Sequence, residues 1–237
     1  MLARHIHLHP RLRRLDIEDR GLTRIPLPQK LTVALLANIT FLSVDSHNRS
    51  GPIITFGESR VTLPALQTLR WFTSFDYAEP FPVAILDLPS LRNLLLGHDP
   101  ACVQVLDIGR RYPKLVSLHV YAAIDILFPS LAHFPQLEEL SLNKPFDPDT
   151  PTLIPPLHPL QRLHLYFFSE NQIIELQRVL KDSPKYLRRI SVGNSWTFYL
   201  CAKIPAWRAL AAESEAKNVQ LHDDEGLDLS TVLKAMK

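Results

Sequence analysis

Apolar residues return along this chain in one short phrase: leucine, two residues, leucine, one residue, apolar. It reads LRRLDI from Leu12, ITFLSV from Ile39, LQTLRW from Leu66 and LRNLLL from Leu91. It continues as LVSLHV from Leu115, LEELSL from Leu137, LQRLHL from Leu160 and LRRISV from Leu187, with a weaker ninth copy, AKNVQL, from Ala216. The eight clear copies start 27, 27, 25, 24, 22, 23 and 27 residues apart, inside the ~20–29-residue period of one family of stacked coils. The last two apolar positions of each copy are two apart, so on a strand they face the same way, into the core, with the leading residue. One copy cannot bury that face alone. Stacked copies can, and the pattern predicts a parallel sheet on the concave side of a curved α/β solenoid, in a single domain over 1–237 of eight to nine repeats. A leucine-rich helical protein is the plain alternative. LxxLxL fits a helix poorly, and β-branched final positions such as Ile17, Val44, Val120 and Val192 favour strand.

Proline sits two residues before the leading leucine at Pro10, Pro64, Pro89, Pro113 and Pro135. It cannot continue a helix, so it marks where each return segment stops and the next strand begins. The return segments 28–39, 99–111, 169–183 and 205–219 carry apolar residues at helical spacing, and 125–134 predicts a short helix ended by Pro135. Residues 45–63, with Gly51, Pro52 and Gly57, predict a loop with a short extended piece at 53–56. Residues 144–159 hold six prolines, which predicts irregular chain. The convex side is therefore mostly helical but uneven, closer to the ribonuclease-inhibitor style than to the short-repeat styles.

Composition narrows the function classes. Leucine occurs 41 times and glycine only 7, which argues against the flexible glycine turns that cradle phosphates. The formal charge of +2 gives no reason to expect nucleic acid or an acidic membrane as partner. Cys102 and Cys201 fall on distant repeats, which predicts free thiols and no disulfide framework. The opening MLARHIHLHPRLRRL lacks an apolar run of signal-peptide length, and no stretch approaches ~18 uninterrupted apolar residues. The expectation is a cytoplasmic or nuclear protein, with the sequons at Asn38 and Asn48 chance matches.

The phrases YPKLVSLHVY, FPQLEELSLN and LPSLRNLLLG, and the tail PAWRALAAESEAKNVQLHDDEG, resemble the C-terminal repeats of fungal F-box and leucine-rich-repeat proteins over nearly the whole chain. The resemblance implies a leucine-rich-repeat, ribonuclease-inhibitor-like horseshoe arc. It also implies a protein-interaction module that serves as the substrate-recognition part of an F-box-type ubiquitin ligase. Leu12 already belongs to a repeat, so the F-box itself is not expected in this chain. A ubiquitin-ligase adaptor would be reached only through a segment outside it. A ligase-independent repeat scaffold or adaptor is the alternative.

On the concave face, the residues between the last two apolar positions are Asp16, Ser43, Arg70, Leu95, His119, Ser141, His164 and Ser191. Those just after the phrase are Glu18, Asp45, Phe72, Gly97, Tyr121, Asn143, Tyr166 and Gly193. Asp16, Glu18 and Asp45 form an acidic end. Arg70, Phe72, His119, Tyr121, His164 and Tyr166 form an aromatic and cationic patch, the candidate partner-binding site, because tyrosine and arginine concentrate binding energy. No motif points to an enzyme, a cofactor or a metal. His5, His7 and His9 alternate without a carboxylate or thiol to complete a ligand set. A His119–Ser141–His164 row lacks an orienting acid. Trp196, Phe198 and Trp207 are expected to pack beneath the following helix.

Overall fold

The computed structural model describes residues 11–19, 36–46, 60–73, 83–97, 105–121, 131–142, 154–166, 173–182, 184–193, 205–223 and 225–235. The chain divides into two compact units, Met1–Ala123 and Ile124–Lys237, and each is a parallel-sheet solenoid.

In the N-terminal unit, β1 (Arg14–Asp19), β2 (Phe41–Ser46), β4 (Thr68–Thr73), β6 (Asn93–Gly97) and β7 (Ser117–Tyr121) pair in that order, all parallel. Two short strands, β3 (Val61–Thr62) and β5 (Leu86–Asp87), make a second parallel pair on the return side. Helix α1 (Val105–Arg111) precedes β7. The register aligns the repeated phrases residue for residue: Leu15, Leu42, Leu69, Leu94 and Leu118 face one another across the sheet. In the C-terminal unit, β8 (Glu139–Leu142), β9 (Arg162–Leu165), β10 (Arg189–Val192) and β11 (Gln220–Asp223) are likewise parallel and in register. A 3-10 turn (Leu131–His133) and the helices α2 (Ile173–Lys181), α3 (Pro205–Ala216) and α4 (Leu229–Ala235) fill its return side.

Most coils begin the same way. The N–H of the leading residue closes a four-residue turn on the carbonyl three before it: Leu66 on Leu63, Leu91 on Leu88, Leu115 on Tyr112, Leu137 on Phe134. Pro64, Pro89, Pro113 and Pro135 occupy the second position of these turns, where a fixed φ is an advantage and no N–H is needed. In these four coils the first residue of the turn is buried, and so are the three apolar residues of the phrase. A second device then ties coil to coil. Arg13, Thr40, Gln67 and Arg92 each accept two N–H groups from consecutive residues of the following coil, at 2.8–3.1 Å. Glu138 and Gln161 do the same in the C-terminal unit. Both lone pairs of these carbonyls are thereby used. Tyr112 adds a side-chain tie, its buried hydroxyl donating to the Leu86 carbonyl at 3.0 Å. Burial pushes the Tyr112 phenol up, so it stays a donor.

Several expectations change in detail. The described helical residues are 105–111, 173–181 and 205–216; the last two helices stop short of the expected 183 and 219, and 99–104 and 169–172 lie outside the described residues. Most of 28–39 and all of 53–56 also lie outside them, as do 47–59 and 143–153. Within 45–63, Asp45 and Ser46 end β2 and Val61–Thr62 is the short described strand; of 125–134, residues 131–134 are described and hold a 3-10 turn, Leu131–His133. The ninth phrase is displaced by two residues. Leu221, not Val219, stands opposite Ile190, so Asn218 holds the leading position and Asp223 the last apolar one.

The cause is a helix stop. Helix α3 ends with the Asn218 N–H on the Glu215 carbonyl and the Val219 N–H on the Ser214 carbonyl at 2.9 Å. Asn218 has φ 55°. This is a Schellman ending, whose left-handed residue is glycine or asparagine and not leucine. Asp223, 4% exposed, is satisfied by the Leu227 N–H at 2.7 Å. Asp228 caps α4 through the Thr231 N–H. Burial pushes the Asp228 carboxyl up, but hydrogen bonds from Ser230 and Thr231 and the nearby His222 outweigh it and hold it below its usual value. Among the described residues no helix is long and apolar enough to cross a membrane.

Candidate functional site

The sheet alternates, so what faces away from the core is fixed by the register. In the N-terminal unit one outward row runs Asp16, Ser43, Arg70, Leu95, His119, and the next runs Glu18, Asp45, Phe72, Gly97, Tyr121. Arg70, Phe72, His119 and Tyr121 are half-buried and come together. The Arg70 guanidinium carbon lies 5.7 Å from the Phe72 ring centroid. Phe72 and Tyr121 stand on β4 and β7 with β6 between them, yet their centroids are 6.1 Å apart. Gly97 makes that possible, since the Phe72 ring lies where a Cβ on Gly97 would be. The His119 ring is near-parallel to Tyr121, 6.5 Å away at 13°, and its Nε2 shares a 2.8 Å hydrogen bond with the buried Ser117 hydroxyl. The result is a continuous strip of cation, aromatic, aromatic and imidazole. Such a strip offers large contact area from side chains with few rotors to freeze.

In the C-terminal unit His164 and Tyr166 form a tighter pair, 4.2 Å between centroids and tilted by 52°. Gly193 lies beside them, and a Cβ there would come 2.8 Å from the Tyr166 carbonyl oxygen. The outward row is Ser141, His164, Ser191, His222. Ser141, at 1% exposure, and Ser191 are buried, which corrects their assignment to an open surface. The bulkier His164 beside them is half-buried.

Residue-level reading of the sequence missed one full row, the position just before the second apolar residue. It holds Arg14, Phe41, Thr68, Asn93 and Ser117 in one unit and Glu139, Arg162, Arg189 and Gln220 in the other. The i, i+2 spacing from Asp16 was the available signal. This row changes the acidic end. Arg14 Nε donates to Asp16 Oδ2 at 2.8 Å, and the Arg14 guanidinium sits 4.0 Å over the Phe41 ring. Asp16 is thus compensated by its own strand, while the Glu18 side chain lies outside the described residues. Arg162 on β9 donates to Glu139 on the neighbouring β8 at 3.0 Å. His222 was missed because the ninth phrase was read two residues early.

Among the described residues no group of three His, Cys, Asp or Glu side chains converges as a metal site. His5, His7, His9, Cys102, Asn143, Trp196, Phe198 and Cys201 lie outside the described residues, and Trp207 is buried in α3. A cavity of about 260 Å³ between α3 and α4 has Ala211, Ala212 and Leu233 as its apolar wall. Arg208 and a Lys234–Glu215 ion pair of 3.4 Å form its polar one. Comparison with known proteins found no family model that matches this sequence and no curated protein similar to it at a significant level.

Proposed function

We propose that this chain is a protein-interaction module of the leucine-rich-repeat, horseshoe kind that captures a protein partner on its outward sheet face. The observation that carries the reading is the strip Arg70–Phe72–Tyr121–His119, built across three strands around Gly97. Hot spots of protein interfaces draw on these residue types. The His164–Tyr166 pair supplies a second aromatic contact of the same composition in the other unit. The LxxLxL phrases in register and helices on the return segments support the leucine-rich-repeat assignment. The finer reading, substrate recognition for an F-box-type ubiquitin ligase, rests on the resemblance of the repeat phrases to that family. A ligase-independent scaffold or adaptor is the second reading.

The test is affinity capture from the protein's own cells with the tagged chain, Tyr121→Ala, Tyr166→Ala and the double variant. Partner recovery should drop about tenfold or more in the double variant while its melting midpoint holds. Unchanged recovery removes the surface from consideration. A product extended upstream to any earlier start codon is run beside it. Adaptor and cullin proteins recovered with that form support the ligase reading. Other partners recovered without them leave the scaffold.

A further inference from the structure

His158 departs from the way the second to sixth and the eighth coils begin. In those coils the leading N–H closes on the carbonyl three residues back, and that residue is buried. In the seventh copy the residue three before Leu160 is Leu157, which is 75% exposed. The turn has moved up the chain, with the His158 N–H on the Pro155 carbonyl at 2.9 Å. The imidazole, only 4% exposed, takes over the missing bond: the Leu160 N–H donates to His158 Nδ1 at 3.2 Å. The other nitrogen reaches the preceding coil. Nε2 lies 2.9 Å from the Phe134 carbonyl and 3.1 Å from the Leu131 carbonyl. These contacts specify one state of the ring. Nδ1 must carry a lone pair and Nε2 the hydrogen, which is the neutral Nε2–H tautomer.

We propose that His158 is a pH-responsive latch: neutral, it stitches the 155–160 turn to the 131–137 segment of the preceding coil, and a second proton on its ring releases that turn. Protonation would put an N–H at Nδ1 against the Leu160 N–H, donor facing donor, in a site that water does not reach. Two groups then lose their partner at once, since Nδ1–H finds no acceptor and the Leu160 amide loses its own. Among the described residues, the ionisable groups on the flanking segments are His133, Glu138 and Glu139 before it and Lys185, Tyr186, Arg188 and Arg189 after it. None of them bonds the imidazole. Among the described residues no carboxylate bonds the ring to hold the added charge.

The direction of the effect follows from linkage. Burial lowers the affinity of the folded ring for a proton, and the two backbone carbonyls only partly offset this. The unfolded chain therefore binds that proton first. The stabilisation is fully present above the unfolded value of ~6.5. It is lost as pH falls from there through the lower folded value.

Thermal melts of the full chain and of H158Q from about pH 7.5 to about pH 5 test the latch, because glutamine keeps a donor near Nε2 but does not titrate. The wild-type midpoint should fall over this range by several degrees, ~4 or more, beyond that of H158Q. Parallel profiles overturn the proposal. Amide exchange in the wild type alone provides a second readout, independent of whether H158Q folds. Corrected for intrinsic rate, exchange at Leu160 should quicken about tenfold on acidification while Leu163 on β9 keeps its protection. Unchanged Leu160 protection, or equal loss at both, overturns it.

Discussion

Phe72 and Tyr121 touch because the residue between them has no side chain. Replacing Gly97 by alanine puts a methyl group into the Phe72 ring, so the ring must leave β6 and the contact with Tyr121. Overpacking of this sort costs about 1–3 kcal/mol when the neighbour cannot yield. Here the displaced ring is half-buried, so G97A should sit at the low end of that range, near 1 kcal/mol. NMR ring-current shifts of Tyr121 and His119 would register the movement, and unchanged shifts would mean the ring is elsewhere in solution. The residue types of this strip were legible in the sequence, because the alternation of a strand places Arg70 with Phe72 and His119 with Tyr121. Their meeting across a glycine was not, since it depends on a rotamer that no spacing encodes. The same holds for His158. A leucine stood at the expected distance from Leu160, and only the geometry shows the histidine turned inward and Leu157 turned out.

At the scale of elements, periodicity located α1, α2 and α3 but overran the C-terminal ends of α2 and α3. Helix ends are decided by backbone groups in search of partners, not by the apolar stripe. The end of α3 is the instructive one. Asn218 is in the left-handed region, where a β-branched residue is strained by about 1–2 kcal/mol. Urea denaturation should show Asn218→Val losing about that much and Asn218→Gly within a few tenths of a kcal/mol of wild type. Equal losses in the two variants would assign the role to the amide side chain and not to the backbone angle. This also explains the misread ninth phrase. The leading position there must end a helix, so it cannot be the leucine or isoleucine that marks the other eight.

Over the whole molecule, leucine count alone is a poor guide to stability, since leucines at like intervals differ in what they touch. Leu94 is fully buried in the centre of its column, flanked by Leu69 and Leu118. Leu94→Ala should cost about 2–5 kcal/mol, because the stacked coils above and below cannot collapse into the gap. Leu157→Ala should stay within about 0.5 kcal/mol, as an exposed side chain removes little from the core. Chemical denaturation of both variants checks the contrast, and comparable losses would mean that Leu157 is buried in solution. Fold class was readable from the repeat because each phrase states its own register. The seventh coil and the last one were harder to read, because there a polar residue does the work of a carbonyl or of an apolar side chain.

The paired hydrogen bonds on Arg13, Thr40, Gln67, Arg92, Glu138 and Gln161 have an implication for how such a chain can drift in length. They anchor the entry to each strand at a fixed point, so an inserted or deleted residue within the phrase would move two bonds and a core column together. Among the described residues the return side shows no such anchor repeated from coil to coil; its ties, the β3–β5 pair and the Tyr112 and His158 side chains, are local. Lengthening a flexible loop is cheap, about 0.6 kcal/mol for each doubling. Insertions and deletions should therefore collect behind the sheet, which is where the steps of 22 to 27 residues between copies place all of their variation.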